Sequence, residues 1–144
     1  MDREPRLIEG GLHTDHRGEV RYFNDFNLQG IKRFYTIKHK DASTIRAWQG
    51  HKYETKYFYC LNGEFMINLV KIDDWENPSL DLLVTTFILN YSRNAILEIP
   101  PGNANGFKAT FPGSHLLVFS DTALKESLKD DYRFDQNLWH NWVT

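Results

Sequence analysis

Four side chains within one short span could do chemistry together: Arg46, Gln49, His51 and Lys56. One imidazole and two fixed cations suit an anionic substrate that exchanges a proton. The imidazole titrates near neutrality, so it can take or return a proton at ordinary pH. The guanidinium and the ammonium can hold a phosphate or a developing oxyanion. Each residue also has a plainer role to be weighed. A lone His on a strand is commonly a surface or core residue, and Lys56 could be a solvated gatekeeper on an edge strand. Arg46 could form an ion pair with Glu54 or Glu64.

Such a group needs a stiff frame, and the next residues supply one. Tyr57 to Leu61 and Phe65 to Val70 are two apolar runs joined by Asn62-Gly63. Asn-Gly between apolar runs predicts a hairpin with a type I′ turn, which would put the four residues at the mouth of a strand pair. Ile31 to Ile37 alternates with period two and reads as a half-buried strand. Further strands are expected at 19–23, 82–89, 95–99, 106–111 and 115–120, with one short helix near 123–129. His13 to Gly18 reads as a polar turn whose His13 and His16 lack a third ligand, and Asp130 to Asp135 as a solvated turn. Many short strands divided by turns, with no amphipathic helix between them, predict an all-β sandwich or barrel and exclude a doubly wound α/β fold.

At 144 residues the chain is expected to be a single domain, with a core over about 18–120 and a tail over 121–144. The net charge of -2 gives no broad basic field, so nucleic acid and anionic membrane are not expected partners. Any anion must meet a local cluster of Arg and Lys. Cys60 is the single cysteine and sits in an apolar run, which excludes an internal disulfide and points to a reducing compartment. No apolar stretch reaches the ~20 residues of a membrane span. Met1 to Pro5 lacks an apolar signal core. A soluble cytoplasmic protein is expected.

The spacing of these residues resembles a known family. Gln49-x-His51-x4-Lys56-x6-Gly63 has the spacing of the first cupin motif, where two His, a Glu and a Gly stand. Pro100-x-Gly102-x2-Asn105 has the spacing of the second, where a His stands in place of Asn105. Lys32-Arg33-Phe34-Tyr35, Arg46 to Lys52 and Cys60-Leu61-Asn62-Gly63 resemble the 3,4-ketoisomerases that act on thymidine-diphosphate 4-keto-6-deoxyhexoses. Pro100 to Phe107, together with Lys56, is similar to the dTDP-4-dehydrorhamnose 3,5-epimerases. Those epimerases keep an acid Tyr just after the last core strand, where this chain has Ser120-Asp121-Thr122-Ala123.

The resemblance implies an all-β RmlC-like cupin, a small jelly-roll barrel with a short helical or irregular C-terminal tail, its two motifs on neighbouring strands. The metal ligands of other cupins are replaced here, and a cationic Lys stands where the carboxylate would be, so the resemblance implies no metal and no cofactor. It implies a proton-shuttling isomerase or epimerase of a dTDP-linked keto sugar, in surface-polysaccharide sugar synthesis. His51 would be the base, Lys56 would stabilise an enolate and Tyr35 would be the acid. Arg46, Gln49, Arg33 and Asn105 would bind substrate. A homodimer is implied as well. The alternative is a cupin that binds a sugar nucleotide or a partner enzyme without turnover.

Overall fold

The computed structural model describes residues 3–143, so the Met1-Asp2 start of the expected N-terminal stretch lies outside it. The strands in chain order are β1 (Arg6–Glu9), β2 (Gly11–Asp15), β3 (Gly18–Tyr22), β4 (Arg33–Lys38), β5 (Ile45–His51), β6 (Lys56–Asn62) and β7 (Glu64–Lys71). β8 (Val84–Asn90), β9 (Ala95–Ile99), β10 (Asn103–Ala109) and β11 (His115–Ser120) follow, then α1 (Leu124–Ser127) and β12 (Tyr132–Arg133). One five-stranded sheet has the order β1-β9-β6-β11-β4, and the other has β12-β5-β10-β7-β8. Every pairing is antiparallel. The expected all-β jelly roll is what the chain forms, with α1 as its short helix.

Alternation sets which side chains the two sheets enclose. Phe58, Cys60, Leu97, Ile99, Leu116 and Val118 from one sheet meet Phe65, Ile67, Leu69, Leu89 and Phe107 from the other. A second core lies on the other side of the β5-β10-β7 sheet. There Trp48, Val70, Ile72 and Ala104 are covered by Trp142, with Phe134 and Trp139 of the tail packed against them. The tail is therefore structural, and β1 and β12 extend the folded unit beyond the expected 18–120 core at both ends.

Three expectations are corrected. The Asn62-Gly63 step is not a hairpin, because β6 and β7 belong to different sheets and do not pair. Gly63 has φ 75° while Asn62 does not enter the left-handed region, so the turn is not type I′. Ser114 crowds Gly63, whose Cβ would stand 2.1 Å from the Ser114 Oγ. The sequence cue marks the sharp step between layers but cannot say which strands pair across it. The segment read as a turn from His13 is in large part strand, since β2 runs to Asp15 and pairs with β3 as a separate two-stranded ribbon. The supposed solvated turn over 130–135 is solvated only in part: Asp130 is buried, for a reason given below, while Asp131, Arg133 and Asp135 are exposed and Tyr132–Arg133 pairs with β5.

Candidate active site

Between the sheets lies a cavity of about 460 Å³. Tyr35 and Ile37 of β4 and Lys56 and Phe58 of β6 line one side. Ile45 to Gln49 of β5, Asn105 and Phe107 of β10, and Arg133 of β12 line the other. Arg46 and Gln49 could not both face inward on a regular strand, because they are an odd number of residues apart. A bulge resolves this. Asn105 pairs with Gln49, yet Phe107 pairs with Arg46, so β5 carries one more residue than β10 in that interval. The extra residue returns Arg46 to the inner face, as bulges do beside functional sites.

Lys56 is 4% exposed. Its ammonium donates to Gln49 Oε1 at 3.0 Å, and Gln49 Nε2 donates to Asp131 Oδ1 at 3.0 Å. Burial lowers the Lys56 pKa to about 8, with nearby Arg33 and Arg133 acting in the same sense and Glu54 opposing them. Tyr35 lies between cations, its ring centroid 5.3 Å from the Arg33 guanidinium carbon and 5.8 Å from Lys56 Nζ. Burial raises its pKa, so it is a phenol at neutral pH.

His51 follows Gln49 by two residues on β5, opposite Asn103, and is 4% exposed. It lies beyond Gln49 and is not part of the cavity wall. Its Nδ1 is 2.6 Å from the Asp130 carbonyl oxygen. A carbonyl only accepts, so Nδ1 carries the proton and Nε2 keeps its lone pair. That Nε2 is buried with no hydrogen-bond partner among the described residues. Burial and the Lys56 charge push the His51 pKa below its usual value, which keeps the ring neutral at pH 7.

Two carboxylates missed in the sequence hold this end of β5 in place. Asp130 accepts from the backbone N–H groups of Lys52, Tyr53 and Glu54 at 2.7, 2.9 and 2.9 Å. These amides turn the chain from β5 to β6 and would otherwise be unpaired, which explains why Asp130 is buried. Glu54, 1% exposed, accepts from Ser120 and Ser127 at 2.6 Å each and from Arg33 at 3.1 Å. Burial alone would raise its pKa, but the two hydroxyls and the nearby His51 and Lys56 hold it below the usual range. Arg33 also donates to the Thr122 carbonyl and to Ser127. It braces this network and lies outside the cavity wall. Of the expected site residues, Tyr35, Arg46, Gln49, Lys56 and Asn105 are brought together at the cavity, and Arg33 and His51 stand behind it. Arg133 lines it unforeseen.

Ligand atoms of His51, Glu54 and Asp130 lie within 4.8 Å of one another. Their chemistry does not fit a metal ion. Both carboxylates are taken up by hydrogen bonds, Nδ1 is taken by a carbonyl, and the Lys56 charge acts on the same imidazole. Arg46 forms neither of the ion pairs weighed above; its Nε donates to His39 Nε2 at 3.0 Å. Cys60 is buried and its pKa is raised to about 11 by burial, so it is packing and not a nucleophile.

No family model and no curated protein matches the sequence. Solved structures do match the fold. The dTDP-4-dehydrorhamnose 3,5-epimerase of Bacillus anthracis, solved with TDP and PPi, has a TM-score of 0.79 at 20% identity, over 98% of this chain and 86% of that one. The sugar 3,4-ketoisomerase QdtA of Thermoanaerobacterium thermosaccharolyticum, solved with TDP, has a TM-score of 0.71 at 26% identity, over 93% and 90%. A His-to-Asn variant of that enzyme was solved with TDP-4-keto-6-deoxyglucose; it has a TM-score of 0.70 at 25% identity, over 93% and 90%.

Proposed function

We propose, from the premise that this chain is an RmlC-like cupin, that it is a metal-free isomerase of a dTDP-linked 4-keto-6-deoxy sugar. Within that class we place it with the 3,4-ketoisomerases. One observation carries the reading: a buried ammonium and a phenol line one polar cavity between the sheets, and the unpartnered neutral imidazole nitrogen of His51 lies behind it, beyond Gln49. Moving a ketone between C3 and C4 requires a proton to leave C3 and one to return at C4 through an enediolate. His51 Nε2 takes the first proton. Lys56 stabilises the oxygen that becomes negative, at an energetic advantage because its ammonium is buried. Tyr35 supplies and recovers hydroxyl protons. Arg46 and Arg133 face the diphosphate, while Gln49 and Asn105 donate to sugar oxygens. The absence of a Tyr at Ser120-Asp121-Thr122-Ala123 and the higher identity to QdtA favour ketoisomerisation over 3,5-epimerisation. The setting is the cytoplasm, where such sugars are built; no helix among the described residues is long and apolar enough to cross a membrane. The enzyme acts as a homodimer.

The test is incubation with dTDP-4-keto-6-deoxyglucose in deuterated water. Wild type should yield a 3-keto product and take up deuterium, and His51→Asn should do neither. Wild type giving no 3-keto product and no deuterium at C3 or C4 overturns the reading. The second reading, binding without turnover, is favoured by Gln49, which stands at a first-motif His position and cannot take a proton. It predicts thermal stabilisation by TDP with no exchange.

A further inference from the structure

We infer that His39 is a positioning residue that aims the guanidinium of Arg46 into the cavity without neutralising it. This rests on the reading of the cavity as a nucleotide-sugar site. His39 ends no sequence motif, yet it is 1% exposed. Its backbone is tied on both sides: its N–H donates to the Ser114 carbonyl at 3.0 Å and its carbonyl accepts from the Gly113 N–H at 2.9 Å. Its ring is stacked on cavity-lining Phe107, with centroids 5.7 Å apart and planes 19° apart, and meets Phe65 edge-on at 5.3 Å. The ring has little freedom to turn.

Arg46 Nε donates to His39 Nε2 at 3.0 Å, and this is the one side-chain hydrogen bond of Arg46 among the described residues. A guanidinium only donates, so Nε2 must accept and the proton of the neutral ring sits on Nδ1. That Nδ1 is buried with no hydrogen-bond partner among the described residues. An unpaired buried N–H is unfavourable, and an apolar side chain would fill the space without it. What only the imidazole adds here is the acceptor for Arg46. Burial and the Arg46 charge push the His39 pKa down, which keeps that acceptor available. Asp or Glu would hold Arg46 equally well but would cancel its charge. A neutral acceptor fixes Nε and leaves both terminal nitrogens, with the full positive charge, for an anion.

Calorimetric titration with TDP tests this on the full chain. His39→Leu should raise Kd about tenfold, near 1.4 kcal/mol, as should Arg46→Gln. The double variant should be no weaker than either single one. His39→Gln, which keeps an acceptor, should stay within about threefold of wild type. In turnover, His39→Leu should raise KM and leave kcat nearly unchanged, a pattern that loss of packing alone does not give. A folded His39→Leu that binds TDP like wild type, or effects that multiply in the double variant, overturns the inference. Nitrogen NMR of Arg46 supplies an arm that needs no ligand and no Leu variant. Its Nε–H should exchange slowly in wild type and shift in His39→Gln, and rapid exchange in wild type overturns the inference. If TDP does not bind wild type but Arg46 Nε–H is protected, the reading of the cavity fails while the positioning role stands.

Discussion

Lys56 carries the conflict between stability and chemistry at this site. Its amine has an ordinary pKa of 10.5 and is lowered to about 8 in the folded protein, with burial the chief cause. The ammonium is thus disfavoured by folding. The penalty is fully present below pH 8 and fades as pH rises toward 10.5, so this group makes stability increase with pH across that window. The difference corresponds to roughly 3 kcal/mol at most, since one pKa unit is 1.36 kcal/mol. Lys56→Met should therefore raise stability at pH 7 by about 1–3 kcal/mol in urea titrations, with the gain shrinking above pH 8. The same change should lower kcat by about a hundredfold or more if, as proposed, this charge stabilises the enolate oxygen. Stability that falls at pH 7, or a gain that grows at pH 10, would show that the buried ammonium is well compensated. Under the proposed mechanism the pH profile of turnover follows from the same groups. Its acid limb belongs to His51, which must be neutral and whose pKa is lowered, so the limb lies below 6.5. Its alkaline limb belongs to Lys56, which must be charged, so activity should fall above about pH 8. An alkaline limb that stays in place in Lys56→Arg would reassign it.

Elements convert residue spacing into geometry, and the β5 bulge is where this matters most. It brings Arg46 and Gln49 to one face, and it packs against Gly106 on β10. A Cβ there would stand 2.8 Å from Ala47 Cβ, 2.9 Å from a Trp142 ring carbon and 3.0 Å from a Trp48 ring carbon. None is the free end of a flexible chain. Gly106→Ala should cost about 1–3 kcal/mol, as overpacking does, and should weaken TDP binding by displacing Arg46. A Tm within a degree of wild type and unchanged TDP affinity would mean that the bulge yields easily. Asp130→Ala should be comparably harmful, since three backbone N–H groups lose their acceptor at once. Strands were legible in the sequence because alternation is local. The motif register was legible too, since Asn105 does stand opposite Gln49. The bulge was hidden, because nothing in Arg46 to Gln49 marks an added residue. Asn62-Gly63 showed a sharp turn but not its partners, which are set far along the chain. Glu54 and Asp130 were hidden for a related reason: their partners are backbone amides and hydroxyls that only the fold brings near. One cue was available at Asp130-Asp131, a carboxylate pair set among the aromatic residues of the tail.

At the scale of the molecule, the two sheets differ in what covers their outer faces. The tail and Trp75 close over the β5-β10-β7 sheet, through the second core. The outer face of the other sheet is only partly covered. Phe26 lies against Tyr57 and Phe119, and Phe23 against Tyr59. A depression of about 240 Å³ remains there, lined by Phe23, Phe26, Leu28, Tyr59, Ile96, Leu117 and Phe119 with Arg21 at its side. Phe34, on the edge strand β4, is 68% exposed and borders Phe119, and Leu28 is 59% exposed. A contiguous apolar face on an unpaired edge strand is unusual for a monomer and suits a second copy, each offering the same patch across a twofold axis. The prediction is that light scattering gives the mass of two 17.0 kDa chains, and that Phe34→Glu gives one. Because Phe34 contributes little to the core, the Glu variant should keep a folded β spectrum. Phe34 and the cavity-lining Tyr35 are neighbours on β4 and point to opposite faces, so the variant should also still bind TDP. Wild type running as a single chain at micromolar concentration, or a dimer that survives Glu at both Phe34 and Leu28, would place any association on another surface and leave this apolar face to a different partner.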